Sequence, residues 1–267
     1  VEAGKKDFVG FELPGKAIGV VGLGAVGIKI ANTAISLGMR VIGFDPKITV
    51  QAAWQLSHQV EQAGSIDDLL SQCDFVTFHV PLIDATRNMI NVERLKSMRD
   101  DVTILNFSRA GIVNDEAVIQ ALNSGKVRAY ICDFPSNLLK KSPKVITLPH
   151  LGASTTEAED NCAIMVSEQV KDYLENGNIS NAVNFPTIRM AKIPGQHRLT
   201  IAHKNMPNII GPITNAIAKA EINIVDMLNK SLNEAAYTLI DIEAKLPQLI
   251  IDEITGIDGV LNVRCLK

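Results

Sequence analysis

This chain has no long apolar run, no excess of either charge and few cysteines, and each shortage removes a class of protein. Nothing in it approaches the roughly 20 consecutive apolar residues a bilayer demands, so no membrane span is expected. No charged-then-apolar leader opens it either. The 26 Lys and Arg residues nearly balance the 29 Asp and Glu, for a net charge of −3, which leaves no basic footprint for nucleic acid. Cys73, Cys132, Cys162 and Cys265 are scattered, with neither a C-x-x-C pair nor a His/Cys cluster at metal-ligand spacing. No disulfide framework and no metal are expected, and reduced thiols in a cytoplasmic protein are the natural reading. What remains is ordinary soluble globular material, 46% hydrophobic and 21% charged. At 267 residues the chain is long enough for two domains. Residues 1–14 read as a connecting segment.

The informative stretch is AIGVVGLGAVG, residues 17–27. Residues 17–21 predict a buried parallel strand, three glycines follow at G-x-G-x-x-G spacing, and 28–37 predict a helix. Each glycine has a physical task. Gly22 permits the tight turn, Gly24 admits a pyrophosphate close to the backbone, and Gly27 lets helix and strand pack closely. The helix start then offers unpaired N–H groups to phosphates. A second strand, 40–44, ends on Asp45, 18 residues past Gly27. That is near the spacing of about 20 for an acid that holds a ribose 2′-hydroxyl, and it favours NAD over NADP.

Further along, 48–57 and 65–71 predict short helices, 74–80 a strand closed by Pro81, and 91–97 a helix. Residues 102–106 predict a strand, 115–124 a helix capped by Asn114 and ended at Gly125, and 127–133 and 144–148 two more strands. This alternation predicts an α/β fold, a doubly wound parallel (Rossmann-like) sheet with its ligand site beyond the carboxyl ends of the strands. Asp45, His79, Asn106 to Arg109, Asp133 and His150 all fall at such ends. Cys132, next to Asp133, is weighed as a reactive thiol and read as a small buried strand residue. A helix from about 154 to 175 starts with Ser154 and Glu157 at capping-box spacing. Residues 179–186 predict a strand and 187–197 a linker. From 198 onward the order is β-α-β-β-α-β, a split ferredoxin-like unit whose open face or edge invites a second copy.

Four blocks carry a resemblance. GVVGLGAVG (19–27), DFVTFHVPL (74–82) with Thr86, LNFSRAGIVN (105–114) and LPHLGAST (148–155) resemble, in order, the signature blocks of the D-isomer-specific 2-hydroxyacid dehydrogenases. Within that family the likeness is greatest to the phosphoglycerate-oxidising branch that carries a C-terminal ACT domain. The resemblance implies an NAD-binding domain with a returning helix and strand over 1–186, a linker over 187–197 and an ACT regulatory domain over 198–267. It implies NAD on Gly22, Gly24 and Gly27, with the backbone of Ala25 and Val26 at the pyrophosphate and Asp45 at the ribose. Val80 and Pro81 would lie on the adenine side, Phe107, Ser108 and Arg109 on the nicotinamide side, and Asp133 at the carboxamide. His150, Gly152 and Ala153 would complete the rim.

Hydride transfer from a 2-hydroxy acid needs a planar cation to grip the carboxylate and a proton carrier for the hydroxyl. Arg109 and His150 fit by type and place, and the resemblance gives them the same two roles. The family's third catalytic member is a Glu in a D-V-F-x-x-E-P block. With one deletion allowed, Asn137 takes its position, able to accept a hydrogen bond from the imidazole but bringing no charge.

His203, Asn205 and Asn223 correspond to the residues that bind an L-serine effector, where amide side chains supply donors and acceptors for an amino acid. Asn208 and Glu221 stand where glycines are common. The activity implied is oxidation of 3-phosphoglycerate to 3-phosphohydroxypyruvate in serine biosynthesis, by a homodimer or homotetramer. Relatives carry a substrate-binding segment ahead of the dinucleotide unit, so this chain is expected to be a fragment that binds NAD(H) and turns over weakly alone. The competing readings are a dehydrogenase for another 2-hydroxy acid (glyoxylate, hydroxypyruvate or 2-oxoglutarate chemistry) and a non-catalytic protein that senses NAD and amino acids.

Overall fold

A computed structural model describes residues 10–266, and the first nine residues of the expected connecting segment lie outside them. The chain divides into two compact units, Val1–Leu151 and Gly152–Lys267.

The first unit is built on β1 (Ala17–Val21), α1 (Ala25–Ser36), β2 (Arg40–Phe44), α2 (Val50–Ala53), β3 (Glu61–Gln62), α3 (Ile66–Gln72), β4 (Phe75–Phe78), α4 (Val92–Ser97), β5 (Val102–Asn106), α5 (Asp115–Ser124), β6 (Val127–Cys132) and β7 (Val145–Thr147). Its seven strands form one sheet in the order β3-β2-β1-β4-β5-β6-β7, and every pairing is parallel. All five residues of β1 are buried, because successive side chains point to opposite faces and both faces are covered. Val20 packs with Ile28 and Ala31 of α1, whereas Val21 packs with Leu69, Leu70, Val76 and Phe78. The chain leaves β1 toward β2 and β3, then returns to lay β4 on the other side. The crest between β1 and β4 is therefore the switch point where such sheets hold ligands.

Local signals set the helix ends. The Asn114 side chain accepts the Ala117 N–H at 2.9 Å, and Gly125 closes α5 in the left-handed conformation. The helix expected over 48–57 shrinks to the four residues of α2, and β3 has no counterpart in the sequence reading.

The second unit opens with α6 (Thr156–Asn176), then β8 (His197–Lys204), α7 (Ile210–Lys219), β9 (Ile224–Leu232), β10 (Ala235–Ile242), α8 (Gln248–Thr255) and β11 (Val260–Leu266). Its four strands are ordered β11-β8-β10-β9 and all pairings are antiparallel. Ile213 and Ile217 of α7 and Ile250 and Ile254 of α8 cover one face, against Leu199, Ile201, Ile240 and Ile242. The other face, with Tyr237 and Leu239, packs on Ile179, Ile188 and Met190.

Two expectations change here. The cap of α6 is Thr155, whose hydroxyl accepts the Ala158 N–H at 3.1 Å, rather than Ser154. The strand expected over 179–186 reduces to a single antiparallel bridge between Ile179 and Ile188, since Asn181 turns left-handed at φ 56° and Pro186 cannot donate to a ladder.

One buried cation organises this region. The Arg198 guanidinium donates to Asp241 Oδ1 and Oδ2 at 2.6 and 2.7 Å. It also donates to the carbonyls of Asn176, Met190 and Ala191 at 2.8–3.0 Å. All five N–H groups are thus used, as a fully buried guanidinium requires.

Candidate active site

The turn after β1 is the first part of the site. Gly22 sits at φ +92°, and a side chain there would meet the His79 carbonyl oxygen at 2.5 Å. At Gly27 a Cβ would fall 1.9 Å from the Gly22 carbonyl oxygen. Only glycine fits either place. Gly24, by contrast, faces open space and caps α1 without a side chain, so the first-turn N–H groups near Ala25 and Val26 stay available to an anion.

Asp45 stands at the end of β2, one oxygen accepting the Leu23 N–H at 2.9 Å and the other the Lys47 N–H at 2.8 Å. Beside it opens a cavity of about 470 Å³ lined in part by Leu23, Phe44, Ile48, Leu56 and Val60. His79, at the end of β4, packs under the glycine turn and contacts Thr77 Oγ1 through Nε2 at 3.0 Å. Burial lowers its pKa to about 4, so it is neutral near pH 7. Val80 and Pro81 continue from it, and Thr86 Oγ1 ties this loop by donating to the Pro81 carbonyl at 2.6 Å.

The second part forms where β5, β6 and β7 end. Asn106 is buried and donates to the Arg109 carbonyl at 3.0 Å, while Ser108 Oγ donates to the Phe78 carbonyl. These bonds hold the 106–109 turn against β4 and push Arg109 outward. One guanidinium N–H donates to the Ser108 carbonyl at 2.7 Å. His150 Nδ1 lies 2.7 Å from Asp133 Oδ2. A carboxylate only accepts, so Nδ1 carries the proton in this bond and Nε2 is left as the ring's acceptor nitrogen. Among the described residues, Asp133 rather than Asn137 is the imidazole's partner. The loop after β6 carries Asn137 to an exposed position. Asp133 is almost fully covered, and its Oδ1 is buried with no hydrogen-bond partner among the described residues.

Sequence reasoning missed Phe134. Its ring centroid lies 4.4 Å from that of the His150 ring and 5.8 Å from Arg109 Cζ. An aromatic side chain directly after a strand-end acid was the available signal. Cys132 is buried and its thiol is pushed up to about 11 by burial, so it is inert. Phe107 is partly exposed at the same edge. Gly152 and Ala153 begin the second unit and are exposed.

In the second unit the three effector candidates do not converge. His203 is buried, with Nδ1 on the Lys204 carbonyl at 2.8 Å and Nε2 on Thr238 Oγ1 at 2.9 Å. Asn205 follows β8 and donates to the Asn233 carbonyl. Asn223 precedes β9 and donates to Glu243. Since β8 and β9 both run antiparallel to β10, these two amides stand at opposite ends of the sheet. No group of three or more potential metal ligands occurs among the described residues, and no helix among them is long and apolar enough to cross a membrane.

A turn that only glycine fits, an uncapped helix start and an orphaned buried carboxylate oxygen suit a dinucleotide. Residues 2–152 match the family described as D-isomer specific 2-hydroxyacid dehydrogenase, NAD binding domain. The chain belongs to that family. It is 30% identical over 266 residues to D-3-phosphoglycerate dehydrogenase of Haemophilus influenzae, covering 96% of this chain and 64% of the relative. It is 34% identical over 230 residues to the Methanocaldococcus jannaschii enzyme of the same name, covering 84% of this chain and 43% of that one. It therefore spans under two thirds of the length of these relatives. Among solved structures, a glyoxylate reductase from Paecilomyes thermophila is 27% identical at a TM-score of 0.58, over 66% of this chain and 54% of that one. The pyruvate reductase of Chlamydomonas reinhardtii is 29% identical at a TM-score of 0.55, over 62% of this chain and 56% of that one.

Proposed function

We propose that this chain performs the NAD-dependent oxidation of 3-phosphoglycerate to 3-phosphohydroxypyruvate. The observation that carries the substrate is the reach of the likeness. The match to the Haemophilus phosphoglycerate dehydrogenase runs over 96% of the chain and so enters the β-α-β-β-α-β unit, whereas the reductase structures cover 62–66%.

NAD would lie with its pyrophosphate on the turn at Gly22 to Gly27, its ribose at Asp45 and its carboxamide at the unpartnered Asp133 oxygen. Bound there, it supplies the hydride acceptor. The remaining work belongs to the chain's own groups. The Arg109 fork grips the substrate carboxylate and favours the growing carbonyl dipole. His150 takes the hydroxyl proton on Nε2, and Asp133 Oδ2 holds the opposite nitrogen so that the ring keeps one tautomer. Asn137 has no part in this arrangement. In this reading the rest of a longer protein supplies the opposite wall of the substrate cleft, and this chain alone turns over slowly.

The C-terminal unit reads as an ACT domain that senses L-serine, in a cytoplasmic homodimer or homotetramer. A serine touching both Asn205 and Asn223 needs a second copy, so the effector and oligomer readings stand together.

The test measures NADH formation at micromolar enzyme from 3-phosphoglycerate and from glyoxylate-, hydroxypyruvate- and 2-oxoglutarate-derived hydroxy acids. The highest kcat/KM is expected for 3-phosphoglycerate, falling by about 100-fold or more in His150→Ala with NAD affinity nearly intact. A preference for another acid overturns the substrate. NAD binding with no turnover of any acid, even in the longer protein that supplies the opposite wall, favours a non-catalytic sensor.

A further inference from the structure

Arg109 and His150 come from different strand ends, and neither is buried. An Arg on a flexible stem and a half-exposed imidazole wander unless something holds them, and misplacement of about 1 Å costs on the order of 100-fold in rate. Two consecutive residues just past β6 address both. Asp133 fixes the direction of the imidazole through the 2.7 Å bond to Nδ1. That bond alone leaves the ring free to swing about the Nδ1–Oδ2 line. Phe134 removes the swing by placing its ring 4.4 Å from the imidazole, with 38° between the planes. The same ring has the Arg109 guanidinium carbon 5.8 Å from its centroid, within cation–π reach. Two side chains of like charge tendency thus share one apolar platform, which sets the distance between them.

We propose that Phe134 is the positioning residue of this site, the platform that fixes His150 and Arg109 relative to each other, with Asp133 as its anchor. The proposal rests on the catalytic reading of Arg109 and His150, and it assigns to the Asp133–Phe134 pair what a carboxylate in the following loop would otherwise do. Phe134 touches no reacting atom. Its effect passes entirely through the two side chains it carries. A flat ring is required, so Tyr serves and a branched aliphatic side chain of similar bulk does not.

The experiment has two arms on the 267-residue chain. In the first, proton NMR of the histidine ring protons locates the His150 signals by their disappearance in His150→Gln. A ring-current shift from Phe134 is expected on them, retained in Phe134→Tyr and abolished in Phe134→Leu. In the second, Phe134→Leu lowers kcat by about 10- to 100-fold with the Kd for NAD within about threefold, and Phe134→Tyr restores it. A merely structural role would lower melting temperature and NAD affinity together and would not be rescued by Tyr. His150 proton shifts that are the same in Phe134→Leu and the native chain overturn the proposal, as does an unchanged kcat. If no hydroxy acid is oxidised even in the longer protein that supplies the opposite wall, the catalytic reading fails by itself, and the NMR arm still decides whether Phe134 holds the imidazole.

Discussion

His79 ties the stability of the glycine turn to pH. Its side chain packs beneath Gly27, and burial lowers its pKa from the ordinary 6.5 to about 4. The folded state holds the ring neutral, whereas the unfolded chain takes up a proton as pH falls through the ordinary value. Stability from this group is therefore complete above about 6.5 and is lost as pH falls toward about 4. At 1.36 kcal/mol per unit the full loss is about 3 kcal/mol, of which about 2 kcal/mol is expressed by about pH 5. His79→Gln removes the titration and keeps a group able to reach Thr77. Native-state hydrogen exchange on peptides covering β1 and β4, corrected for intrinsic rates, reads the local free energy at about pH 7.5 and about pH 5. The native chain should lose about 2 kcal/mol more than His79→Gln between those conditions. An equal loss in both proteins would refute the account.

Three further outcomes follow from single contacts. Gly27→Ala puts a Cβ 1.9 Å from the Gly22 carbonyl and should abolish NAD binding by calorimetry while costing about 1–3 kcal/mol in a thermal melt. Arg198→Met strands the buried Asp241 carboxylate and should destabilise the second unit by about 3–5 kcal/mol in urea. The double variant Arg198→Met/Asp241→Leu should recover part of that loss, and no recovery would count against the charge argument. Glu221 sits left-handed at φ 56° after α7, so Glu221→Gly should stabilise by about 0.5–1 kcal/mol and Glu221→Ala should not.

The sequence carried the dinucleotide turn well because backbone geometry there dictates residue type: at Gly22 and Gly27 nothing larger than hydrogen fits. The parallel strands were equally plain, since burial on both faces leaves unbroken apolar runs such as Ala17–Val21. The parts that escaped depend on distances between segments. Glu61–Gln62 is too short and exposed to have a pattern. In the run Ser154-Thr155-Thr156 three residues can cap, and only the bond that the Ala158 N–H donates to Thr155 Oγ1 chooses among them. Residues 179–186 read as a strand ending in Pro, yet the left-handed turn at Asn181 breaks the ladder after one bridge. A family pattern directed attention to Asn137 for the histidine's partner, whereas the nearness of the β6 and β7 ends brings Asp133 there instead. Asn205 and Asn223 look like a pair on paper, and the sheet's strand directions separate them.

Asp45 is fastened to the turn after β1 by the amide of Leu23 and within its own turn by the amide of Lys47. These two bonds hold its carboxylate in one orientation, so a ribose bound as proposed above would meet an acceptor already aimed. On that proposal the selectivity of this corner would be a property of the fold's rigidity: loosening either amide would blunt discrimination between cofactors without altering a single atom that the nucleotide touches.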